Sequence, residues 1–154
     1  MSDENQAAAQ PEQQFLVQRV YLKDLSLEIP MGTDAFLINK QPAINQDLGT
    51  DMKKVADDVY EVVLKLTITA TLEDKTVFLI EVHQGGIFAV PGVEEAHLAQ
   101  VLNTVCPNIL FPYVRETIDN TLVKASFPPL MIPPINFDAL YAHALQEQQQ
   151  DKAH

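Results

Sequence analysis

The stretch CPNILFPYVRE, residues 106–116, says more about the fold than any other part of the sequence. Its large apolar side chains surround two prolines, which lack a backbone donor and disfavour helix at the preceding residue. Such a segment is either a packed joint or the wall of an apolar site. Apolar residues recur at helical spacing before it, from Glu94, and Tyr113–Val123 can continue the helix after it. We therefore predict one long helix with a kink at Ile109–Tyr113, packed at the centre of an assembly.

Upstream of this helix the chain alternates between apolar and polar residues, which is typical of half-buried strands. The alternation is strictest from Tyr60 to Thr69. A turn at Glu73–Lys75 then leads into a return strand, Thr76–His83. On the return strand we expect one side to face solvent, with Val77, Leu79, Glu81 and His83 on it.

A further strand is predicted over Phe15–Ile29. Asp24 and Glu28 alternate there with leucines, which places both carboxylates on one solvent face, roughly 13 Å apart. Across 33–55 we expect a short strand at Phe36–Ile38 and then a long crossover loop.

Signals for loops and caps complete the pattern. Four prolines in 127–134 predict an extended loop, and Asn136 is a suitable N-cap for a last helix. Gly85–Gly86 predicts a bulge or a close backbone approach. Strands followed by helices predict an α+β fold, a four-stranded antiparallel sheet with a long kinked helix and a C-terminal helix packed on one face.

The two ends of the chain are polar and rich in glutamine. They predict a disordered N-terminal tail over 1–14 and a flexible C-terminal tail over 146–154. Between them we expect a single domain over 15–145. Two helices cannot cover both faces of such a sheet, so assembly with further copies is expected.

The formal net charge is −11, from 21 acidic and 10 basic residues. This field repels phosphate backbones and disfavours nucleic acid as a partner, whereas basic or unfolded cationic chains would be attracted. Solubility alone also explains the acidity. A single cysteine suits a reducing compartment, and no secretory signal or bilayer-length apolar run is visible. We expect a cytoplasmic protein without direct membrane insertion.

Residues that could perform catalysis are few. The histidines lack metal-ligand spacing, and Asp57 and Asp58 are adjacent, so on a strand they face opposite sides. Cys106 between Val105 and Pro107 resembles a buried packing residue more than a nucleophile. We expect no enzyme, no metal and no cofactor, although a small enzyme using Cys106 stays an alternative.

Four blocks together resemble the SecB protein-export chaperone family, in the family's order and at compatible spacing: DDVYEVVL at 57–64, GGIF at 85–88, CPNILFPYVRE at 106–116 and NFDALY at 136–141. The resemblance implies an ATP-independent holdase that keeps precursor proteins unfolded and delivers them to the export motor SecA. It also implies a homotetramer, a dimer of dimers. An adaptor or scaffold of the same family acting outside general export, for example with a toxin–antitoxin system, is the alternative.

The resemblance also implies particular sites. The family's SecA-contact positions fall on Asp24, Glu28, Leu79 and Glu81. Client binding in the family uses apolar grooves, for which this chain offers Phe36, Phe137, Leu140 and Tyr141, each equally compatible with core packing. Where family members often carry a tryptophan before Gln-Pro, this chain has Lys40. An aromatic contact at the groove edge is therefore in doubt.

Overall fold

The computed structural model describes residues 14–152 of the chain. The described elements are β1 (Leu16–Glu28), β2 (Ala43–Ala56), β3 (Val59–Leu72), β4 (Lys75–Ala89), α1 (Glu95–Asn103), α2 (Val105–Lys124) and α3 (Phe137–Lys152). The four strands form one antiparallel sheet in the order β1-β4-β3-β2. Helix α2 packs on one face of the sheet, and α1 and α3 pack against α2 and each other. This architecture confirms the α+β prediction. Whether 15–145 behaves as a single domain stays a prediction.

The β3–β4 hairpin forms the centre of the sheet. Alternate residues of both strands are fully buried against α2, including Leu64, Leu66 and Ile80. This side is the helix face, and the opposite side is the open face. The strands are joined through Glu73 and Asp74, whose φ angles of 50° and 66° give the twist that two-residue hairpins favour.

Val77 departs from the prediction because it is buried in the core rather than exposed. The pairing of β3 with β4 is irregular between Ala70 and Thr71, opposite this residue. One extra residue on β4 shifts the alternation there and turns Val77 inward.

The prediction for residues 33–55 was wrong in two respects. Phe36 ends a 3₁₀ turn, Gly32–Phe36, rather than forming part of a short strand, and residues 43–56 form the edge strand β2 rather than a loop. Only one side of β2 is bonded to the sheet, and most of its side chains are exposed. An edge strand of this kind tolerates polar residues and lacks strong alternation. The crossover between β1 and β2 is therefore shorter than expected.

The long helix does bend, but the break lies at Thr104 and not within Ile109–Tyr113. Thr104 has φ −125° and ψ −63°, which ends α1 just before α2 begins. Pro107 explains this position, because it cannot donate to the carbonyl of Asn103 four residues back and its ring crowds that carbonyl. Pro112 lies inside α2.

The paired glycines are a close backbone approach on both faces of β4. A Cβ on Gly85 would lie 2.5 Å from the ring of Tyr21 on the open face. A Cβ on Gly86 would lie 2.5 Å from the ring of Phe88 and 3.0 Å from Leu110 of α2. Gly86 thus lets α2 rest directly on the sheet.

The proline-rich segment before α3 is a loop, as predicted, and is anchored to α2. The carboxylate of Asp119 accepts hydrogen bonds from the backbone N–H groups of Leu130 and Met131 at 2.9 and 3.2 Å. Asn136 caps α3, since its side-chain oxygen accepts from the N–H of Ala139 at 3.0 Å.

The C-terminal helix is longer than expected. It continues to Lys152, so most of the expected tail over 146–154 is helical, and the flexibility of that tail stays a prediction. The expected disordered tail over 1–14 lies outside the described residues except for Gln14.

Candidate functional site

The open face of the sheet brings all four predicted SecA-contact residues together. Glu28 of β1 lies directly opposite Leu79 of β4, and Glu81 lies opposite Ser26 in the next row. Asp24 follows one row further on. Directly paired residues share one face of a sheet, so these side chains form one continuous patch. We call Asp24, Glu28, Leu79 and Glu81 the acidic patch.

The acidic patch has the accessibility that a docking role requires. Asp24 and Glu28 are exposed, while Leu79 and Glu81 are half-buried. A partly exposed leucine among carboxylates offers an apolar contact within a negative field. Whether SecA binds there stays a prediction.

Beside the patch, the open face carries paired charges from β1, β2 and β3. Lys65 of β3 pairs with Asp51 of β2. Lys23 of β1 lies 3.0 Å from Glu61 of β3 (Nζ to Oε1). The hydroxyl of Tyr21, on β1, donates to the other oxygen of Glu61. These contacts join the edge strands to the centre of the sheet.

The same contacts change the pKa values of three side chains. Hydrogen bonds from Tyr21 and then Lys23 hold the pKa of the Glu61 carboxyl below its ordinary value, against the opposing effect of burial. Burial, and then the Glu61 carboxylate, raises the pKa of Tyr21 to about 12. The Lys65 ammonium lowers the pKa of Asp51.

A second feature is an apolar cleft of about 620 Å³ on the helix-face side, at the end of the sheet. Its aromatic wall consists of three phenylalanine rings that contact one another in a row. Phe36 stacks on Phe127 with ring centroids 5.4 Å apart, and Phe127 lies 5.0 Å from Phe78. The remaining lining comes mainly from the crossover before β2 and from the proline-rich segment before α3.

The predicted groove residues do not all meet in this cleft. Phe36 lines it and is half exposed. Phe137 is buried in the core, edge-on to Phe111 at 6.3 Å. Leu140 and Tyr141 lie on α3 and are not among the residues that line the cleft. The roles of these four residues in client binding stay predictions.

Sequence reasoning missed Phe127, Phe78 and Ile44 as cleft residues. Phe127 stands directly before Pro128–Pro129, and an aromatic residue at the start of a rigid loop was the available signal. Lys40 also lines the cleft, and its ammonium lies 3.3 Å from Glu73 (Nζ to Oε1). The predicted groove-edge position 40 therefore bears a salt-bridged cation.

Cys106 is fully buried, and burial raises the pKa of its thiol to about 12. The thiolate is the nucleophilic form of cysteine, and burial disfavours that form. The packing interpretation of Cys106 is confirmed.

Comparison with known proteins explains why these sequence blocks resemble SecB. The family model described as preprotein translocase subunit SecB matches residues 7–148. The chain belongs to the SecB family. A chaperone role in protein export is the function associated with this family.

Proteins named SecB from three bacteria match the chain over nearly its full length. The protein-export protein SecB of Hahella chejuensis is 54% identical over 153 residues, covering 99% of this chain and 95% of that protein. The protein of the same name from Cellvibrio japonicus is 51% identical, covering 97% and 92%. That of Marinobacter nauticus is 47% identical, covering 97% and 93%.

Among solved structures, a SecB-like chaperone of Mycobacterium tuberculosis in complex with an antitoxin peptide shares the fold. The TM-score is 0.63 at 13% sequence identity, covering 79% of this chain and 88% of that chain.

None of the helices within residues 14–152 combines the length and the hydropathy that crossing a bilayer requires.

Proposed function

We propose that this SecB-family protein is an ATP-independent holdase, which binds unfolded precursor proteins in apolar grooves and delivers them to the export motor SecA. The observation that carries the proposal is the aromatic cleft formed by Phe36, Phe78 and Phe127. Its rings present apolar surface at an opening between two loops. Such surface suits the apolar segments that a folded protein hides.

Binding of this kind is unselective and needs no nucleotide. Burial of apolar area contributes roughly 25 cal/mol per Å² whatever the sequence of the client. The cleft thus distinguishes unfolded chains from folded ones, because only unfolded chains expose long apolar segments. Slowly folding precursors are the expected clients, and no enzymatic step is required.

The acidic patch is proposed as the SecA-docking site. Carboxylates at Asp24, Glu28 and Glu81 would attract a basic partner segment, and Leu79 would supply an apolar contact. The patch lies on the open face, whereas Ile44 and Phe78 place the cleft on the helix-face side. A client in the cleft would therefore leave the patch accessible.

The protein is further proposed to act in the cytoplasm as a homotetramer, a dimer of dimers. Support comes from apolar side chains that one chain leaves exposed on β1 and the helices: Leu16, Leu22, Val105, Tyr113 and Val123. An apolar surface built from such residues is typical of regions that another subunit covers.

The alternative is a SecB-like adaptor outside general export. The similarity to the mycobacterial chaperone shows the fold alone, so the peptide in that complex is no guide to this chain's partner. An adaptor would keep the assembly and lack the docking role. Charge reversal at Glu81 separates the two functions, as described at the end of the Discussion.

The holdase function is tested by light scattering from a chemically unfolded precursor diluted into buffer without nucleotide. We expect an equimolar amount of tetramer to suppress aggregation. Phe36→Ser removes one ring of the cleft wall and should weaken suppression severalfold. The matched control is Leu37→Ser, because Leu37 is 78% exposed and does not line the cleft.

Unchanged scattering with the wild-type protein would rule out the holdase function. Equal losses for Phe36→Ser and Leu37→Ser would instead locate client binding outside the cleft.

A further inference from the structure

His83 forms a direct contact with the acidic patch. It lies two residues after Glu81 on β4, and both side chains are on the open face. Its Nε2 is 2.7 Å from Oε1 of Glu81, with side chains 22% and 43% exposed. The imidazole is thus held at the edge of the patch, against the carboxylate that is proposed to dock SecA.

The neighbouring strands determine which charges surround this imidazole. His83 lies directly opposite Asp24 on β1 and opposite Lys65 on β3. The ionisable groups that face this part of the sheet are Tyr21, Lys23 and Asp24 from β1, Glu61 and Lys65 from β3, Asp47, Asp51 and Lys53 from β2, and Glu81 from β4.

Two of the nearby cations already have carboxylate partners. Lys65 pairs with Asp51, and Lys23 pairs with Glu61. Within residues 14–152, Asp24 has no ion-pair partner, and the partner of Glu81 is His83. The charge state of His83 therefore determines how negative the central part of the acidic patch is.

We propose that His83 makes docking at the acidic patch pH-dependent, with a basic partner segment bound more weakly when the imidazole is protonated. Histidine is the side chain whose charge ordinarily changes between about pH 5 and 8. The imidazolium would compete for the Glu81 and Asp24 carboxylates with the partner's cations. The inference rests on the proposed docking function of the patch.

The direction of the effect follows from linkage. A cation docked against Glu81 disfavours a second positive charge on His83, so docking should release a proton from the imidazole. Affinity should therefore rise as the pH increases from about 6 to about 8. Exposed ion pairs are weak, so the change attributable to His83 should be about two- to fivefold.

The chain contains a matched control. His143 on α3 is also close to a carboxylate, with its Nε2 3.1 Å from Oε1 of Glu147. This pair lies outside the acidic patch and four residues apart along an exposed helix. His143→Gln removes a comparable histidine–glutamate pair without changing the open face.

The experiment measures the equilibrium affinity of full-length protein for SecA at about pH 6 and about pH 8, at constant ionic strength. Wild type, His83→Gln and His143→Gln are compared at each pH, so that titration of SecA itself cancels in the ratios. We expect the affinity of wild type relative to His83→Gln to be about two- to fivefold higher at the upper pH than at the lower. His143→Gln should behave as wild type.

The outcomes separate the inference from the proposed function. In the first case, SecA binds and Glu81→Lys weakens that binding, but the ratio of the SecA affinities of wild type and His83→Gln is the same at both pH values. The pH inference is then wrong, while the docking site stands. If SecA fails to bind at either pH, or Glu81→Lys has no effect, the docking proposal is wrong and the inference fails with it.

Discussion

At the scale of single residues, Glu61 shows how one half-buried contact couples stability to pH. Its carboxylate is 17% exposed and accepts hydrogen bonds from Tyr21 and Lys23. Both donors favour the ionised form, which lowers the pKa of Glu61 in the folded protein. Because the unfolded chain has the ordinary value of about 4.3, folding is stabilised at pH values above it.

We predict that this stabilisation is lost as the pH falls through the lowered pKa of Glu61. Between about pH 5 and pH 3 the free energy of unfolding should therefore decrease more for wild type than for Glu61→Gln. Urea unfolding at a series of pH values measures the difference. Glu116→Gln, on the exposed surface of α2, should follow wild type. Parallel curves for wild type and Glu61→Gln would show that the contact does not act in solution.

At the scale of elements, the strands could be predicted to different extents. The alternation of Tyr60–Thr69 identified β3 because one of its faces is completely buried and must be apolar. Strand β2 was missed because its outer edge and most of its side chains face solvent. The helix break was expected near the second proline, but it lies at Thr104, next to the carbonyl of Asn103 to which Pro107 cannot donate.

The acidic patch could be predicted in part from the sequence, whereas the cleft could not. Alternation alone placed the patch acids on solvent faces, although only the pairing of β1 with β4 shows that Glu28 meets Leu79. The cleft wall joins Phe36, Phe78 and Phe127, which are far apart in sequence. No local pattern reports such contacts, so the ring stack could not be predicted.

The packing of α2 on β4 provides the prediction at this scale. Gly86→Ala should lower the free energy of unfolding by about 1–3 kcal/mol, because the new methyl group would meet the buried Phe88 ring and Leu110. Gly49→Ala is the matched control, since a Cβ there meets nothing within 4 Å. Urea denaturation at one fixed protein concentration compares the two variants.

A loss at Gly49 equal to that at Gly86 would contradict this account of the α2–β4 contact. The cost would then be a general effect of replacing glycine in a strand rather than a local clash.

At the scale of the whole molecule, one chain leaves apolar residues of β1 and the helices in solvent. The proposed tetramer should have a mass four times 17.2 kDa, about 69 kDa. Size-exclusion chromatography with light scattering measures it directly. A stable monomer would show that the exposed residues serve another purpose.

Clients and SecA are proposed to use opposite sides of the sheet. The two activities should therefore be separable by substitution. Glu81 and Asp47 lie in one cross-strand row of the open face, two strands and about 10 Å apart. Glu81→Lys and Asp47→Lys therefore make the same change of charge on the same face, one inside the acidic patch and one outside it.

The most direct test is the affinity of client-loaded protein for SecA, measured for wild type and these two variants at physiological salt. We predict that Glu81→Lys weakens SecA binding about tenfold or more while client binding is kept, and that Asp47→Lys stays close to wild type. Equal affinity for SecA in all three proteins, or equal losses in both variants, would contradict docking at the acidic patch.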